Sequence, residues 1–553
     1  MLGWQPELRE SHALGLLRFG EALRSLVQRP VQRMPLNPGA SVAVIGAGAA
    51  GLVAVRIFRD AGFRVTAFEC SETVGGTWNY QDVANEPDLA RAASRRLEST
   101  TTTETPSSEV FRQVPEQTTR LAALPPVQSS IYAGLRTNLP RQVMQFSDAP
   151  FPEHLPSFIG HRDVQRYMVD YARRHNLERH IRFGVWVQRV QPVSNDVWSR
   201  YLVTFSSSKS PEACTQAFDA VCVCNGHYSV PQIPAEPYSE PADGTEYIPG
   251  LTDGTFCPGV VRHSHYYRDA EKYRDLRVIC LGAGPSGVDI SLEIAEYARK
   301  PVYLSCRAVK QMPSDSATEQ YGVLQVPRLV AVIGPRTVQL ADGSILHDID
   351  VIMLCTGYRY SFPFLTEACG ISVTLQGRVV TPLYRHLIPV SRWTLPLIGI
   401  PYAVVPFPLF EFQARYVAAV FQGRVQLPEM NAMQAAILEE KQVQQSFGLL
   451  AKHFHRLGDR QWAYNRELAD AVGVKGPTLA VQSVYNDAGT HRKLDPKHYR
   501  EREYRIFGDG PEDWEVQSPA MVQLDAKSSK KGKHPTRSKE AAIETSAEFS
   551  AGL

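Results

Sequence analysis

Two stretches of the chain carry the residue types and spacing of a phosphate-binding turn. In SVAVIGAGAAGLVAVRIFRDAGFRVTAFE, residues 41 to 69, Gly46, Gly48 and Gly51 form G-x-G-x-x-G between an apolar run and a helical one. The first glycine permits a tight turn, the second lets the backbone approach a pyrophosphate, and the third allows close helix-to-strand contact, with the helix N-terminus facing the anion. Glu69, 23 residues after Gly46, ends the second apolar run, where a carboxylate accepts hydrogen bonds from both ribose hydroxyls and excludes a 2′-phosphate. The site should hold an unphosphorylated adenosine ribose, as in FAD or NAD.

The second stretch, RVICLGAGPSGVDISLEIAEYARKPVYLSCR at 277 to 307, repeats the pattern with Gly282, Gly284 and Gly287, and places Ser286 in the turn. The residue 23 positions after Gly282 is Ser305, not an acid, and Arg307 follows. A hydroxyl and a guanidinium suit a 2′-phosphate, because arginine supplies bidentate charge-assisted donors to it. One chain thus carries candidate sites for FAD and NADPH. A single glycine triplet could be a ligand-free strand-helix turn; two with complementary ends make that reading far weaker.

These residues need strand-turn-helix-strand units to hold them. Each repeat reads as βαβ, so the expected fold is α/β with two Rossmann-like dinucleotide-binding domains, each built on a parallel sheet. RFGVWVQRV, YLVTF and AVCVC, within 181 to 226, alternate as a small antiparallel element returning to the main sheet, and DIDVIMLCTGY at 348 to 358 is a further strand run. Residues 411 to 450 read as amphipathic helix, and 451 to 520 are polar and aromatic without a nameable motif. The polar stretch 81 to 130 reads as a surface insertion and the low-complexity end from Asp525 as disordered, neither expected to contribute to chemistry.

The remaining composition narrows the classes. With 59 basic and 57 acidic residues in 553, and six Lys/Arg against four Asp/Glu in 525 to 553, the body is electrically balanced, which argues against a nucleic-acid surface. Nine cysteines without a C-x-x-C pair exclude the thioredoxin-type motif and the commonest zinc knuckle, so no metal site is expected, and a reducing compartment is the simplest setting. The most apolar run, LPLIGIPYAVVPFPLF at 395 to 410, is broken by four prolines, so no membrane span is expected. The Arg-rich start holds Glu7, Glu10 and Glu21, unusual for a transit peptide, and a cytoplasmic location is favoured over organelle import.

Beyond the glycine turns, several stretches resemble the flavin-containing monooxygenase family. Gly75-Gly76-Thr77-Trp78 is similar to a family loop near the flavin, LRTNLPRQVMQFSDAPFP at 135 to 152 to the segment with a flavin-side asparagine, here Asn138. FCPGVVRHSHYYR resembles the family fingerprint in Gly259, His263 and Tyr267, although Phe256 lies three residues before Gly259 rather than two. Its tyrosine ending favours the nitrogen- and sulfur-oxidising branch. CNGHYSVP at 224 to 231 and CTGY at 355 to 358 resemble the two crossings between a flavin domain and an inserted nicotinamide domain. The resemblance covers roughly 40 to 80 and 131 to 450. It implies an N-terminal extension at 1–39, an FAD domain at 40–230 and 346–450 with the NADP domain at 231–345 inserted, a C-terminal extension at 451–524 and a basic tail at 525–553.

The family resemblance implies an FAD-dependent NADPH monooxygenase in which reduced flavin adds O2 to give a C4a-hydroperoxide that oxygenates a soft nucleophile, an amine or a thioether. The cofactor carries the hard chemistry and the protein excludes water and holds a donor near the peroxide, for which Asn138 is the catalytic candidate. Gly76, Thr77, Trp78, His263 and Tyr267 join the glycines, Glu69, Ser286, Ser305 and Arg307 as cofactor-binding candidates. Partners are then a small nucleophile and O2, with a homodimer among the assemblies open to it. A Baeyer-Villiger enzyme, an NADPH oxidase and a flavin-binding scaffold are the alternatives; a disulfide reductase shares the fold but needs a cysteine pair this chain lacks.

Overall fold

The computed structural model describes residues 35–82, 87–91, 128–196, 199–207, 210, 212–234, 247–306 and 318–517. Arg307, the N-terminal extension up to residue 34, most of the insertion and the basic tail lie outside the described residues.

The first glycine stretch folds as β1 (Ser41–Ile45), α1 (Ala49–Asp60) and β2 (Arg64–Phe68). Further along come α2 (His161–Arg174), β3 (Ile181–Arg182), β4 (Val185–Pro192), β5 (Tyr201–Ser207), β6 (Cys214–Phe218) and β7 (Ala220–Val223). The first sheet is wholly parallel in the order β3-β2-β1-β7; β4 and β5, two of the runs read from the sequence, form an antiparallel sheet with β6, which was not read, while the third run, AVCVC, is β7 of the parallel sheet. Residues along β1 alternate between two buried faces. Val42 and Val44 pack toward α1, and Ala43 and Ile45 face the side of the β4-β5 hairpin.

After the short β8 (Val230–Pro231) the chain builds β9 (Val260–His263), β10 (Val278–Leu281), α3 (Pro285–Ile294), β11 (Val302–Cys306) and β12 (Val323–Pro327). The antiparallel β13 (Leu329–Gly334), β14 (Thr337–Leu340) and β15 (Ile345–Leu346) precede β16 (Val351–Leu354) and β17 (Tyr358–Arg359). The second sheet is parallel in the order β12-β11-β10-β16-β9, so each repeat puts its first strand beside a strand from later in the chain. That is the strand-order reversal at which open α/β sheets bind ligands. β8 and β17 pair with each other where the chain leaves and re-enters the first unit, so the second dinucleotide-binding domain is inserted within the first.

The repeat extends to the returning strand. Cys224-Asn225-Gly226 follows β7 and Cys355-Thr356-Gly357 follows β16, and each cysteine carbonyl lies against the first glycine of its own turn. Past the crossing, the proline-broken apolar run is buried coil that enters α4 (Pro406–Phe421) through Pro406, a position that tolerates the missing N–H. Phe421 of α4 packs on Phe58 of α1 at 5.7 Å between centroids. Arg56, nearly buried on α1, pairs with Asp148 at 2.7 Å and Glu411 of α4 at 3.3 Å. Burial raises the Glu411 pKa, but hydrogen bonds from Ser147 and Arg415 outweigh it and hold it below the ordinary carboxylate range.

The helices α5 (Met430–Ser446), α6 (Gln461–Val472) and α7 (Leu479–Leu494), with a final hairpin of Glu503–Ile506 and Trp514–Gln517, complete the described chain. The stretch after 450 is therefore no appendage. Trp462, Leu468, Val484, Tyr499 and Tyr504 belong to the same core as α1 and α4. Within the insertion, Ala90 is fully buried in the core of the second unit, and its carbonyl accepts from the Gly254 amide at 2.9 Å.

Candidate active site

At the first turn each glycine has its own steric reason. Gly46 has φ +101°, and a Cβ there would stand 2.6 Å from the Cys224 carbonyl oxygen; one on Gly51 would stand 1.9 Å from the Gly46 carbonyl oxygen. Gly48 and Gly76 bring two backbones together, since a Cβ on Gly76 would lie 2.9 Å from the Gly48 Cα. The Gly75 amide donates to the Ala47 carbonyl at 3.1 Å, so the Gly75–Trp78 loop is laid against the glycine turn, and the Trp78 ring packs on the first core. Ser129 Oγ donates to the Thr77 carbonyl, fixing the far side of that loop.

Glu69 is 4% exposed at the end of β2. Its Oε2 accepts from the Ala47 amide at 2.6 Å and its Oε1 from the Ser71 amide at 2.9 Å, which aims the carboxylate along the glycine turn. The helix α1 starts at Gly48 with no side-chain cap and no acid in its first turn. Uncapped amides beside a Gly-Gly cradle and a buried acceptor fit a dinucleotide with an unphosphorylated ribose.

The second turn repeats this geometry. Gly282 has φ +108° with a Cβ position 2.6 Å from the Cys355 carbonyl oxygen, and one on Gly287 would meet the Gly282 carbonyl oxygen at 1.7 Å. A Cβ on Gly284, by contrast, meets nothing within 4 Å. Gly284 and Ser286 are exposed, and α3 likewise begins with no side-chain cap and no acid in its first turn. Open space in front of bare amides fits a second pyrophosphate.

Ser305 is not where its spacing puts it. The Gly46 amide donates to the Phe68 carbonyl and the Gly282 amide to the Ser305 carbonyl, and Ile45 pairs with Phe68 as Leu281 pairs with Ser305. Ser305 therefore corresponds to Phe68, and the counterpart of Glu69 is Cys306. Gly282 to Ser305 spans 23 residues where Gly46 to Phe68 spans 22, because a shorter α3 is followed by a longer connection to β11, which a fixed count of 23 cannot register. Ser305 is fully buried and its Oγ accepts from the Leu329 amide at 2.8 Å, so it braces the sheet rather than meeting a phosphate.

His263 and Tyr267 lie behind the surface on which the glycine turns open: both are fully buried, with their polar atoms hydrogen-bonded to protein groups. His263, ending β9, accepts from the His265 amide at Nδ1 (3.0 Å) and bonds the Gly357 carbonyl through Nε2 (3.2 Å), holding the loop that supports Gly282. Burial, with His265 adding, drives its pKa down to about 3, so it is a neutral donor to that carbonyl. The Phe256 ring covers Gly259, where a Cβ would stand 2.4 Å from a ring carbon; the extra residue of spacing is absorbed within that turn.

Tyr267 donates to Glu293 of α3 at 2.6 Å. Burial raises the Glu293 pKa to about 7, with the Tyr267 bond opposing and Asp289, Glu296 and Asp269 adding. Since an unfolded glutamate ionises near 4.5, the folded state holds this proton more tightly, and stability falls as pH rises from about 4.5 through about 7. Glu293→Gln should therefore be more stable than the parent at pH 8 by about 1–3 kcal/mol, with the gap closing toward pH 5. Parallel melting curves at the two pH values would contradict this.

Asn138 is exposed. It follows a strap in which Arg136 pairs with Gly160 and the Thr137 amide donates to Ile159 at 2.8 Å, while His161 at the start of α2 lies 5.2 Å from the Tyr80 ring just past the Gly75–Trp78 loop. Sequence reasoning missed Arg268 as a site residue. Its buried guanidinium donates to the carbonyls of Gln81 (2.7 Å) and Ser129 (2.6 Å), clasping both ends of the insertion onto the second unit. Its position beside Tyr267 was visible, but nothing local announces those partners.

Two parallel dinucleotide units, one inserted in the other and each with a bare glycine turn, define a two-dinucleotide flavoprotein oxidoreductase. The model of the flavin-binding monooxygenase-like family matches residues 39–96, 126–326 and 312–550. The chain is 33% identical over 475 residues, 83% of its length, to flavin-containing monooxygenase FMO GS-OX-like 4 of Arabidopsis thaliana, covering 93% of that protein. It is 34% identical to FMO GS-OX1 of the same plant over 78% of this chain and 84% of that one. Among solved structures, S-allyl-L-cysteine S-oxygenase from Allium sativum aligns with TM-score 0.69 at 30% identity, over 89% of this chain and 99% of that one.

The chain belongs to the flavin-binding monooxygenase-like family. It is an FAD-dependent monooxygenase that takes its electrons from NADPH. The family match runs on to residue 550, a hundred residues past where the motifs recognised in the sequence stop.

Proposed function

We propose that this monooxygenase oxygenates the sulfur of small thioethers, with FAD on the first glycine turn and NADPH on the second. The observation that carries the reading is the likeness, along nearly the whole chain, to a protein described as an S-allyl-L-cysteine S-oxygenase. FAD and NADPH supply hydride transfer and O2 activation when bound.

What the chain's own residues do follows from the geometry. Gly46, Gly48 and Gly76 give a pyrophosphate access to the α1 amides, and Glu69 accepts ribose hydroxyls. Gly284 and Ser286 offer the corresponding surface at α3. Asn138 is the polar donor assigned to the oxygen-transfer step, where it favours transfer to sulfur over loss of peroxide. Asn138→Ala should lower sulfoxide formed per NADPH oxidised by about tenfold, with hydrogen peroxide making up the balance. Unchanged coupling would remove Asn138 from this role.

The nine free thiols suit a reducing, cytoplasmic setting. Among the described residues, no helix is long and apolar enough to cross a membrane. To test the sulfur assignment, sulfide and amine substrates of matched size are compared. A thioether such as S-allyl-L-cysteine should be turned over with higher kcat/KM than a tertiary amine, and the reverse order would overturn the preference.

A further inference from the structure

The stretch after residue 450 has no motif, yet one of its side chains joins three parts of the site. Arg500 donates from Nε to the Thr137 carbonyl at 3.1 Å and from Nη1 to Asp289 of α3 at 2.6 Å. Its own carbonyl accepts from Arg136 Nη2 at 3.0 Å. Thr137 immediately precedes Asn138, and α3 is the helix whose N-terminus carries Gly284. A single guanidinium plane, 12% exposed, therefore ties the Asn138 strap to the nicotinamide-side helix.

The same junction is closed from other directions. Tyr132, at the start of the strap, donates to the second oxygen of Asp289. Glu293, one helical turn further along α3, lies against Gly134, where a Cβ would stand 2.0 Å from its carboxylate. The C-terminal segment is anchored to both units. Tyr321 donates to Asp495 at 3.0 Å and Lys497 pairs with Glu296 at 3.1 Å on one side, while Glu503 accepts from the Ser157 amide at 2.8 Å on the other. Tyr499 packs its ring edge-on to Phe158 at 5.2 Å.

An arginine is suited to this junction because its planar fork serves two acceptors at fixed angles, and low exposure strengthens both bonds. We propose that Arg500 is a positioning residue for oxygen transfer: it sets Asn138 against the nicotinamide-side helix, so that the coupling of NADPH oxidation to oxygenation depends on it. This rests on the monooxygenase reading with Asn138 as donor. In the coupled reaction NADPH, a proton, O2 and the thioether give NADP⁺, water and the sulfoxide, one oxygen atom going to sulfur and the other to water. In the leak NADPH, a proton and O2 give NADP⁺ and hydrogen peroxide. Displacing Asn138 shifts flux from the first to the second without a new reactant.

The test measures NADPH consumed, sulfoxide formed and peroxide released by the full-length FAD-loaded protein with S-allyl-L-cysteine. Arg500→Ala should raise the peroxide fraction about fivefold, since sub-ångström misplacement of a reacting group is enough for such losses. Arg500→Lys, which keeps the charge, should restore part of the coupling. In an Asn138→Ala background Arg500→Ala should add nothing, because both changes remove the same placement. An Arg500→Ala protein as tightly coupled as wild type, or a leak that adds to that of Asn138→Ala, would overturn the positioning role. If Arg500→Ala fails to retain FAD, Asp289→Asn loosens the same junction from α3 and should raise the leak about twofold; a wild-type leak there would overturn it equally. Wild-type protein that forms no sulfoxide would instead refute the sulfur-oxygenation reading beneath it.

Discussion

Replacing Gly284 by leucine should slow NADPH-driven flavin reduction by about 100-fold or more, a loss of about 2.7 kcal/mol, while leaving FAD bound and reducible by dithionite. Gly284 has ordinary extended dihedrals, φ −71° and ψ 180°, and a Cβ there meets nothing within 4 Å. The backbone and the packing therefore tolerate a side chain. What a leucine would fill is the space in front of the α3 amides, which only a pyrophosphate needs. Anaerobic stopped-flow reduction separates the effects, with the loss expected in NADPH affinity more than in the limiting rate. A leucine variant reduced at the wild-type rate and affinity would show that the dinucleotide does not approach α3 at this turn.

Gly51→Val should fail for the opposite reason. Its first side-chain carbon would sit 1.9 Å from the Gly46 carbonyl oxygen, part of a turn that is itself fixed against Cys224. Neither atom has a flexible end to move, so α1 must lift from β1 and expose an apolar helix that is buried along most of its length. A loss of about 3 kcal/mol or more and purification largely without flavin are expected, checked by the flavin-to-protein absorbance ratio and by thermal unfolding. Full flavin content and an unchanged Tm would mean that the helix-strand contact is looser than the geometry shows. The two glycines occupy different places in the same motif, one serving the ligand and the other the fold.

The glycine turns were legible in the sequence because their constraints are local. A positive φ at Gly46 and Gly282 and the close contacts at Gly51 and Gly287 are each satisfied within one strand-turn-helix unit, so residue type and spacing record them. Glu69 lies just after β2 in the same βαβ unit, where its carboxylate accepts from the Ala47 amide of the turn. Ser305 was misplaced because spacing counts residues whereas a sheet counts register, and the second unit takes one residue more to travel from its first glycine to the same register position. His263 and Tyr267 were recognised by their order along the chain, which says that a segment matters but not what its side chains touch. They turn out to support the loop at Gly357 and the helix at Glu293 from behind.

The long-range junctions left no trace at all. Arg500 and Asp289 stand 211 positions apart, and Arg268 holds carbonyls of Gln81 and Ser129 that any residue type could present. A backbone acceptor carries no side-chain identity, so no pattern in the sequence can mark it. For the same reason the C-terminal stretch reads as featureless although Tyr499 and Tyr504 pack into the central core. Its part in the molecule became visible only when its contacts with both dinucleotide units were in view.

The most direct test of sulfur oxygenation by this chain supplies the purified FAD-loaded protein with NADPH, ¹⁸O2 and S-allyl-L-cysteine, and reads the product by mass spectrometry. The account predicts a sulfoxide carrying one ¹⁸O, formed in near-equal amount to the NADPH consumed and with little peroxide. NADPH consumption that ends wholly in hydrogen peroxide, or a sulfoxide without the label, would contradict it.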